Sequence, residues 1–166
     1  MRKRKTSLKY DDSSKVTKVV LDTNILIEGI KDEYSYEKRV IDEVRRGNLR
    51  AFANHQTLRE NRLILNQLID SDTYRNEMEE FFAQVEPVVN RRQVRVVQDE
   101  EDNKILESAV EAGAAFLITN DADLLTLKTY NGVKILRPAT FWAEYSDDES
   151  GGFWNEWTTY INSQRG

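Results

Sequence analysis

The feature that most constrains the fold is a short apolar run that ends in a carboxylate, Lys-Val-Val-Leu-Asp-Thr-Asn-Ile-Leu-Ile at residues 18–27. The run is typical of a buried strand, and Asp22 follows where that strand ends. A charge in this place is costly unless something pairs with it. Open α/β sheets bind ligands beyond the carboxyl ends of their strands, so Asp22 is the first candidate site residue. The alternative is that Asp22 only caps a helix beginning near Ile25.

Strand-like and helical segments alternate along the chain. Strands are predicted over residues 17–21, 49–53, 94–97, 114–119 and 133–136. Helices are predicted to begin near residue 25 and to cover 36–46, 58–69, 73–85, about 105–112, 124–125 and 138–142. This alternation predicts an α/β fold, a three-layer α/β/α sandwich with a central, mainly parallel sheet of four to five strands.

The chain is predicted to hold one domain between two extensions. Its 166 residues suffice for one domain with a core. Residues 1–15 are predicted to form a basic, flexible arm, 16–145 the main domain, and 146–166 an acidic and glycine-rich linker followed by an aromatic helix. The apolar positions of that helix need a surface to pack on, which is either the same domain or a partner. The arm either contacts a phosphate backbone or is simply solvated.

Composition excludes several classes of protein. Hydrophobic residues make up 39% and charged residues 32% of the chain, which is typical of a globular domain. The absence of cysteine excludes disulfides, cysteine-based zinc sites and a thiol nucleophile, and it is consistent with a reducing cytoplasm. No apolar run reaches about 18 residues, so no transmembrane helix is expected.

Further acidic residues occupy settings comparable to that of Asp22. Glu60 follows the second predicted strand, although Thr57 and Glu60 also match a capping box. Asp102 shares the buried stripe of its helix, although acids at a helix start also complement the helix dipole. Asp121 and Asp123 follow the strand 114–119, where a capped turn is the alternative, and Asp121 is the favoured ligand because it is nearer the strand end.

The set of acids indicates a cation site. Carboxylates beyond neighbouring strand ends would crowd into one crevice, and two charges ~4 Å apart repel by about 4 kcal/mol at an effective dielectric near 20. Such repulsion requires raised pKa values or a bound cation. Oxygen ligands without cysteine favour Mg²⁺ or Mn²⁺ over Zn²⁺. The candidate metal ligands are Asp22, Glu60, Asp102, Asp121 and Asp123.

Other motifs are weaker. His55 is the only histidine and is most simply a loop or surface residue, since no nucleophile-elbow pattern accompanies it. Glycine-rich phosphate loops are absent. Basic side chains offer candidate contacts to an RNA backbone, with a solvated surface as the alternative for each, and these are Arg59, Arg62, Arg91, Arg92 and Arg95.

At these positions the chain resembles the PIN-domain family, and within it the VapC-like toxin components of bacterial toxin–antitoxin pairs. The matching stretches, residues 19–27, 57–60, 102–109 and 117–125, lie in order within 17–145. The resemblance implies a Mg²⁺- or Mn²⁺-dependent endoribonuclease with an RNA substrate and an antitoxin partner. A homodimer is also expected. It implies catalytic acids at Asp22, Glu60, Asp102 and Asp121, and residues that orient ligands or substrate at Asn24, Asn103 and Thr119.

Three other readings stay open. A phosphatase of the haloacid dehalogenase type also places an Asp after its first strand, but it needs a second Asp where this chain has Asn24. A receiver domain also uses an acidic cluster, but no matched lysine supports it. A non-catalytic PIN scaffold that binds RNA or a protein is disfavoured by the complete set of acids.

Overall fold

The fold is described from a computed structural model. The structure describes residues 16–150, and side chains up to Ser146. The predicted basic arm (1–15) and the aromatic helix of the predicted tail lie outside the described residues.

Within residues 16–150, strands and helices alternate as predicted. The strands are β1 (Lys18–Leu21), β2 (Arg50–Asn54), β3 (Glu86–Val88), β4 (Phe116–Ile118), β5 (Thr129–Tyr130) and β6 (Val133–Leu136). The helices are α1 (Thr23–Lys31), α2 (Tyr36–Arg45), α3 (His55–Leu68), α4 (Asp72–Gln84), α5 (Glu100–Ala112), α6 (Ala122–Leu127) and α7 (Pro138–Ser150). None of the helices described is long and apolar enough to cross a membrane.

The strands form one six-stranded sheet in the order β3-β2-β1-β4-β6-β5. All neighbours are parallel except β5 and β6, which form an antiparallel pair. The predicted mainly parallel α/β sheet is confirmed, with one strand more than the four to five expected. The chain leaves β1 for β2 on one side and later returns to β4 on the other, so the strand order reverses between β1 and β4. Such a reversal opens a crevice at the carboxyl ends of the two strands.

Helices cover both faces of the sheet, which gives the three predicted layers. Side chains of a strand alternate between faces, and in β1 Val19 and Leu21 pack into one core while Val20 packs into the other. The first core lies beneath α1, α2, α3, α4 and α7, with Phe141 fully buried. The second lies beneath α5 and α6, with Leu106 and Leu124 fully buried. Burial on both faces explains why residues 19–21 of β1 are all apolar.

The prediction of a third strand over 94–97 is wrong. The strand that pairs with β2 is Glu86–Val88. It lies at the edge of the sheet, where a proline is tolerated because only one side of the strand is hydrogen-bonded to a neighbour. Arg50 on β2 fixes the register of β3 through two hydrogen bonds to Glu86, of 2.9 and 2.7 Å. Residues 94–97 belong instead to an irregular segment from Val89 to Asp99, hereafter the 89–99 loop.

The end of the domain also differs from expectation. The last helix continues to Ser150, so the first five residues of the stretch predicted as a linker are helical. The helix stop predicted at Gly113 agrees with the structure. Gly113 directly follows α5 with a φ of +63°, a left-handed conformation that commonly ends a helix.

Candidate active site

Asp22 lies in the crevice between β1 and β4. Its backbone N–H continues the ladder by donating to the carbonyl of Ile118 at 3.0 Å, which fixes the residue at the shared end of the two strands. The residue is only 5% exposed. Asp22 stands at the N-cap position of α1, but its side chain makes no capping hydrogen bond there. Capping alone therefore does not explain this carboxylate.

One hydroxyl links Asp22 to the next acid. Thr119, fully buried just after β4, donates from Oγ1 to Oδ2 of Asp22 at 2.8 Å. The same Oγ1 accepts a hydrogen bond from the backbone N–H of Asp121 at 2.9 Å. Thr119 thus orients Asp22 and holds the turn that carries Asp121.

Asp121 and Asp123 differ in their surroundings. Asp121 caps α6, because its Oδ1 accepts from the backbone N–H groups of Asp123 at 2.9 Å and Leu124 at 3.1 Å. The predicted capping role is present, and Oδ2 of Asp121 is not used by the cap. Asp123 is exposed on the first turn of α6. The charge of Asp121 is one of those that raise the pKa of Asp22.

Asp102 is the third acid at the crevice, and it lies on α5, the helix that packs on the second core. It lies in the first turn of α5, and its N–H donates to Asp99, which caps the helix. Partial burial, followed by the charges of Asp121, Asp22, Asp99 and Asp123, raises the pKa of Asp102 to about 7. Because α5 follows the 89–99 loop, Asp102 reaches the crevice from a helix start rather than directly from a strand end.

The electrostatics of Asp22 agree with this arrangement. Burial raises the pKa of Asp22 above its ordinary value, the Thr119 hydroxyl and neighbouring backbone N–H groups act in the opposite direction, and the charge of Asp121 adds to the rise. Asp22, Asp102 and Asp121, hereafter the acidic triad, therefore repel one another across the crevice. Carboxylates held in this way are typical of functional sites.

Glu60 does not join the acidic triad. It lies on the exposed face of α3, where it accepts a hydrogen bond from Gln56 at 3.1 Å. The prediction that Thr57 caps this helix is wrong, because α3 begins at His55 and Asn54 is its cap, accepting from the N–H of Thr57 at 2.7 Å. Glu60 is therefore free of the capping role, and its charge acts on Lys104 at the start of α5.

The predicted orienting residues fall in different places. Asn24 is exposed on the first turn of α1, beside Asp22. Asn103 is buried, and its Oδ1 accepts from the N–H groups of Val96 and Val97 at 3.1 Å while its Nδ2 donates to the carbonyl of Val97 at 2.8 Å. These bonds tie Asn103 to the 89–99 loop, and a role in orienting substrate stays a prediction.

The basic residues fall into two groups. Arg62 forms an ion pair with Glu79 at 3.8 Å and lies over the ring of Phe82, so it is partly committed to packing between α3 and α4. Arg59 is exposed on α3, and His55 is exposed at the start of that helix. The other three are exposed on the 89–99 loop and form no ion pair with any described residue: Arg91, Arg92 and Arg95.

One contact at the site escaped the sequence analysis. Oγ1 of Thr23, directly after Asp22, donates to Oδ1 of Asn61 on α3 at 2.7 Å, and Asn61 is only 3% exposed. This bond joins the start of α1 to α3 beside the crevice. The sequence spacing could have revealed this contact. Thr57, Asn61 and Leu65 are buried at intervals of four residues, which places the polar side chain of Asn61 on the buried face of α3.

The chemistry of the acidic triad suits a hard divalent cation. The donors are carboxylate oxygens, and their mutual repulsion is the kind that a cation relieves. Within the described part of the chain, however, no three acidic or histidine side chains already stand close enough to form a ready set of ligands. A cation would therefore have to draw these carboxylates together.

Comparison with known proteins agrees with the geometry. Neither the curated proteins nor the solved structures gave a match to this chain. A family model for the PIN domain matches residues 18–123, a span that runs from β1 to Asp123 and contains every member of the acidic triad. PIN domains are in general nucleases and typically use divalent metals. The chain belongs to the PIN-domain family.

Proposed function

We propose that this PIN domain is a Mg²⁺- or Mn²⁺-dependent endoribonuclease that cleaves single-stranded or structured RNA. The observation that carries the proposal is the buried carboxylate of Asp22, held by Thr119 where the strand order reverses and faced by Asp102 and Asp121. A purely structural Asp at this position would cap α1, whereas the side-chain hydrogen bond of Asp22 joins it to Thr119 beyond the end of β4.

The acids have distinct parts in this proposal. Asp22 is the fixed ligand in this proposal, because the hydrogen bond from Thr119 to its Oδ2 holds the side chain in one orientation. Asp102 and Asp121 face it from α5 and from the turn before α6, with Asp123 and Glu60 as outer candidates. A bound divalent cation would neutralise charge on the phosphodiester and supply a water of lowered pKa.

Arginines on the 89–99 loop provide the contacts to RNA. Arg91, Arg92 and Arg95 lack ion-pair partners among the described residues, so they are available to phosphates without breaking an internal salt bridge. The loop ends at Asp99, the cap of α5, and Asp102 follows in the first turn of that helix. Arg59 is a further candidate, whereas Arg62 would have to leave Glu79.

The proposed biological role is that of a toxin with an antitoxin partner, which the resemblance to VapC-like proteins supports. A homodimer and a cytoplasmic location are part of the same proposal, and the absence of cysteine is consistent with the latter. A small open reading frame that overlaps or directly precedes the gene would support the toxin role, and its absence would count against it.

A non-catalytic PIN scaffold that binds RNA or a protein is the second candidate. The observation that favours it is the lack of a ready-made group of three ligands within residues 16–150. Membership in the PIN family, together with Asn24 in place of the required second Asp, disfavours a phosphatase of the haloacid dehalogenase type.

The test is cleavage of single-stranded RNA by the Asp22→Asn variant with Mn²⁺ or Mg²⁺ present. The amide keeps the shape of the side chain but removes its charge, so cleavage should collapse. Without metal the melting temperature should stay equal or rise, because repulsion within the acidic triad is relieved.

The matched control is Asp70→Asn, the same change at an exposed residue after α3. It should cleave RNA as the unmodified protein does. Cleavage by Asp22→Asn at the rate of this control would refute the proposed assignment, and cleavage by neither the unmodified protein nor the control would favour the scaffold.

A further inference from the structure

A basic residue lies at the same edge of the sheet as the acidic triad. The N–H of Thr119, directly after β4, donates to the carbonyl of Leu136 at the end of β6 at 3.0 Å. The parallel register pairs Ile118 with Leu136, so it continues to Arg137 beside Thr119. Neighbouring strands are about 4.8 Å apart, so the backbone of Arg137 lies two strand spacings, roughly 10 Å, from that of Asp22.

Arg137 also falls on the face of the sheet that Asp22 and Thr119 share. Successive side chains of a strand alternate between faces. In β6, Ile135 packs into the second core and Leu136 against the first, so Arg137 returns to the face of the second core. The same alternation applies to Asp22 after β1 and to Thr119 after β4, in agreement with the hydrogen bond between them. A positive side chain therefore continues this row of polar residues at the carboxyl ends of the strands.

Lys128 adds a second positive charge to this edge. It follows α6, and its carbonyl accepts a hydrogen bond from the N–H of Ile135 at 2.9 Å. The antiparallel register of β5 and β6 therefore sets Lys128 opposite Ile135 and diagonal to Arg137. Diagonal neighbours across a strand pair are about 7–8 Å apart, within reach of long side chains. One anion can thus contact both basic residues.

The backbone of Lys128 is unusual for a lysine. Its φ is +61°, in the left-handed range that glycine adopts at lower cost. Residues held in sparsely populated conformations cluster at functional sites and ligand clamps. The turn by itself therefore does not account for a lysine at this position.

The charges of Lys128 and Arg137 are free to bind an anion. Both residues are exposed, and neither forms an ion pair with any side chain described up to Ser146. The two charges repel each other, and a bound anion relieves this repulsion as a cation does at the acidic triad. Arginine binds two oxygens of a phosphate through paired N–H groups, and lysine binds phosphate as a point charge.

We propose that Arg137 and Lys128, hereafter the basic pair, bind a backbone phosphate of the RNA that neighbours the cleaved one. The basic pair lies beyond β6, whereas the 89–99 loop with its arginines follows β3, at the opposite end of the strand order. An RNA strand that contacts both crosses the acidic triad at β1 and β4. The inference rests on the proposed nuclease function, to which it adds the path of the substrate across the sheet edge.

The first measurement is independent of cleavage. Binding of a fluorescein-labelled oligouridine to the full chain is followed by anisotropy in EDTA at several salt concentrations. Arg137→Gln and Lys128→Gln should each reduce the slope of log affinity against log salt by about 0.7, the value of one phosphate contact to a single strand. Arg137→Lys keeps the charge and should keep the slope.

The matched control for this measurement is Arg46→Gln. Arg46 is an exposed arginine at the end of α2, just before β2 begins, and so lies at the amino edge of the sheet. Its variant should bind with an unchanged slope. An unchanged slope in Arg137→Gln or in Lys128→Gln, or no binding by the unmodified protein, would overturn the inference whether or not the protein cleaves RNA.

The second measurement locates the phosphate. The ratio kcat/KM is compared among cleaved oligoribonucleotides in which one phosphate at a time is replaced by a neutral methylphosphonate. For the unmodified protein, replacement at one position next to the cleaved bond should lower kcat/KM by at least about tenfold, the value of a charge-assisted hydrogen bond. In Arg137→Gln the same replacement should cause no further loss, because the contact is already absent.

The outcomes separate the basic pair from the nuclease. Arg46→Gln should respond to each methylphosphonate as the unmodified protein does. Losses in Arg137→Gln that add in full at every position would overturn the phosphate contact but leave the nuclease intact. Absence of cleavage by the unmodified protein, with the salt slopes as expected, would overturn the nuclease while the binding result still supports the basic pair.

Discussion

Replacement of Asp102 by Asn should stabilise the metal-free protein, and by an amount that depends on pH. The pKa of Asp102 rises from 3.8 in the unfolded chain to about 7 in the folded protein, mainly through burial and the charge of Asp121. The folded state therefore holds this proton more tightly than the unfolded state does. Stability is lost as pH rises from about 4 to about 7, and the loss is complete above that range.

The size of the effect follows from the same values. The difference between 3.8 and about 7 corresponds to about 4 kcal/mol, at about 1.4 kcal/mol for each pH unit. Solvent around this partly exposed side chain screens the repulsion, so we expect a gain of about 1–2 kcal/mol for Asp102→Asn above pH 7. Near pH 4 the variant and the unmodified protein should be equally stable.

The assay is urea unfolding at several pH values with EDTA, repeated with Mn²⁺ at a saturating concentration. Binding at about 100 times the dissociation constant adds about 2.7 kcal/mol to a protein that binds the ion. Mn²⁺ should therefore reverse the order, making the unmodified protein the more stable one. Asp70→Asn, at an exposed site, should leave the free energy of unfolding unchanged both with EDTA and with Mn²⁺. A constant stability difference between pH 4 and pH 8 would refute the reasoning about Asp102.

Three further changes have distinct expected results. Thr119→Val removes the hydroxyl shared by Asp22 and Asp121, so the free energy of unfolding should fall by about 1–3 kcal/mol and RNA cleavage by at least about tenfold; unchanged cleavage would show that this bond is not needed. Arg91→Ala with Arg92→Ala should reduce the slope of log affinity for single-stranded RNA against log salt by about 1.4, and an unchanged slope would remove both from the RNA surface. Glu60→Gln should reduce cleavage less than Asp22→Asn, because Glu60 is exposed and bonded to Gln56; an equal loss would place it among the essential acids.

The strand that carries Asp22 could be predicted from sequence because local pattern and tertiary environment agree there. Burial on both faces requires an apolar run, and the charge after it is conspicuous. The same reasoning located Asp121 after β4. These predictions needed only the periodicity of the chain and the rule that parallel strands end at one edge.

The error over 94–97 has a different origin. Val94, Val96 and Val97 have strand-like composition, but their N–H groups are satisfied by Glu107 and Asn103. These partners are six to thirteen residues away and belong to a helix, so propensity within the segment cannot reveal them. At β3, the pairing with β2 and the ion pair from Arg50 outweigh the presence of Pro87 in the strand.

The candidate site could also be predicted only in part. Residues at strand ends could be located from the sequence, whereas contacts that depend on packing between helices, such as the Thr23–Asn61 hydrogen bond, could not. Glu60 is a different case: sequence position puts it beyond β2 with Thr57 as the expected cap, but α3 begins at His55 and Glu60 is exposed on that helix.

The central claim is that the acidic triad holds a divalent cation, and calorimetric titration with Mn²⁺ near neutral pH tests it most directly. The unmodified protein should bind Mn²⁺, and Asp22→Asn should weaken the affinity by more than about tenfold, since changes to residues that only support a ligand already cost about 10–100-fold. Asp70→Asn should bind as the unmodified protein does. Absence of binding, or equal affinity in Asp22→Asn, would contradict the claim.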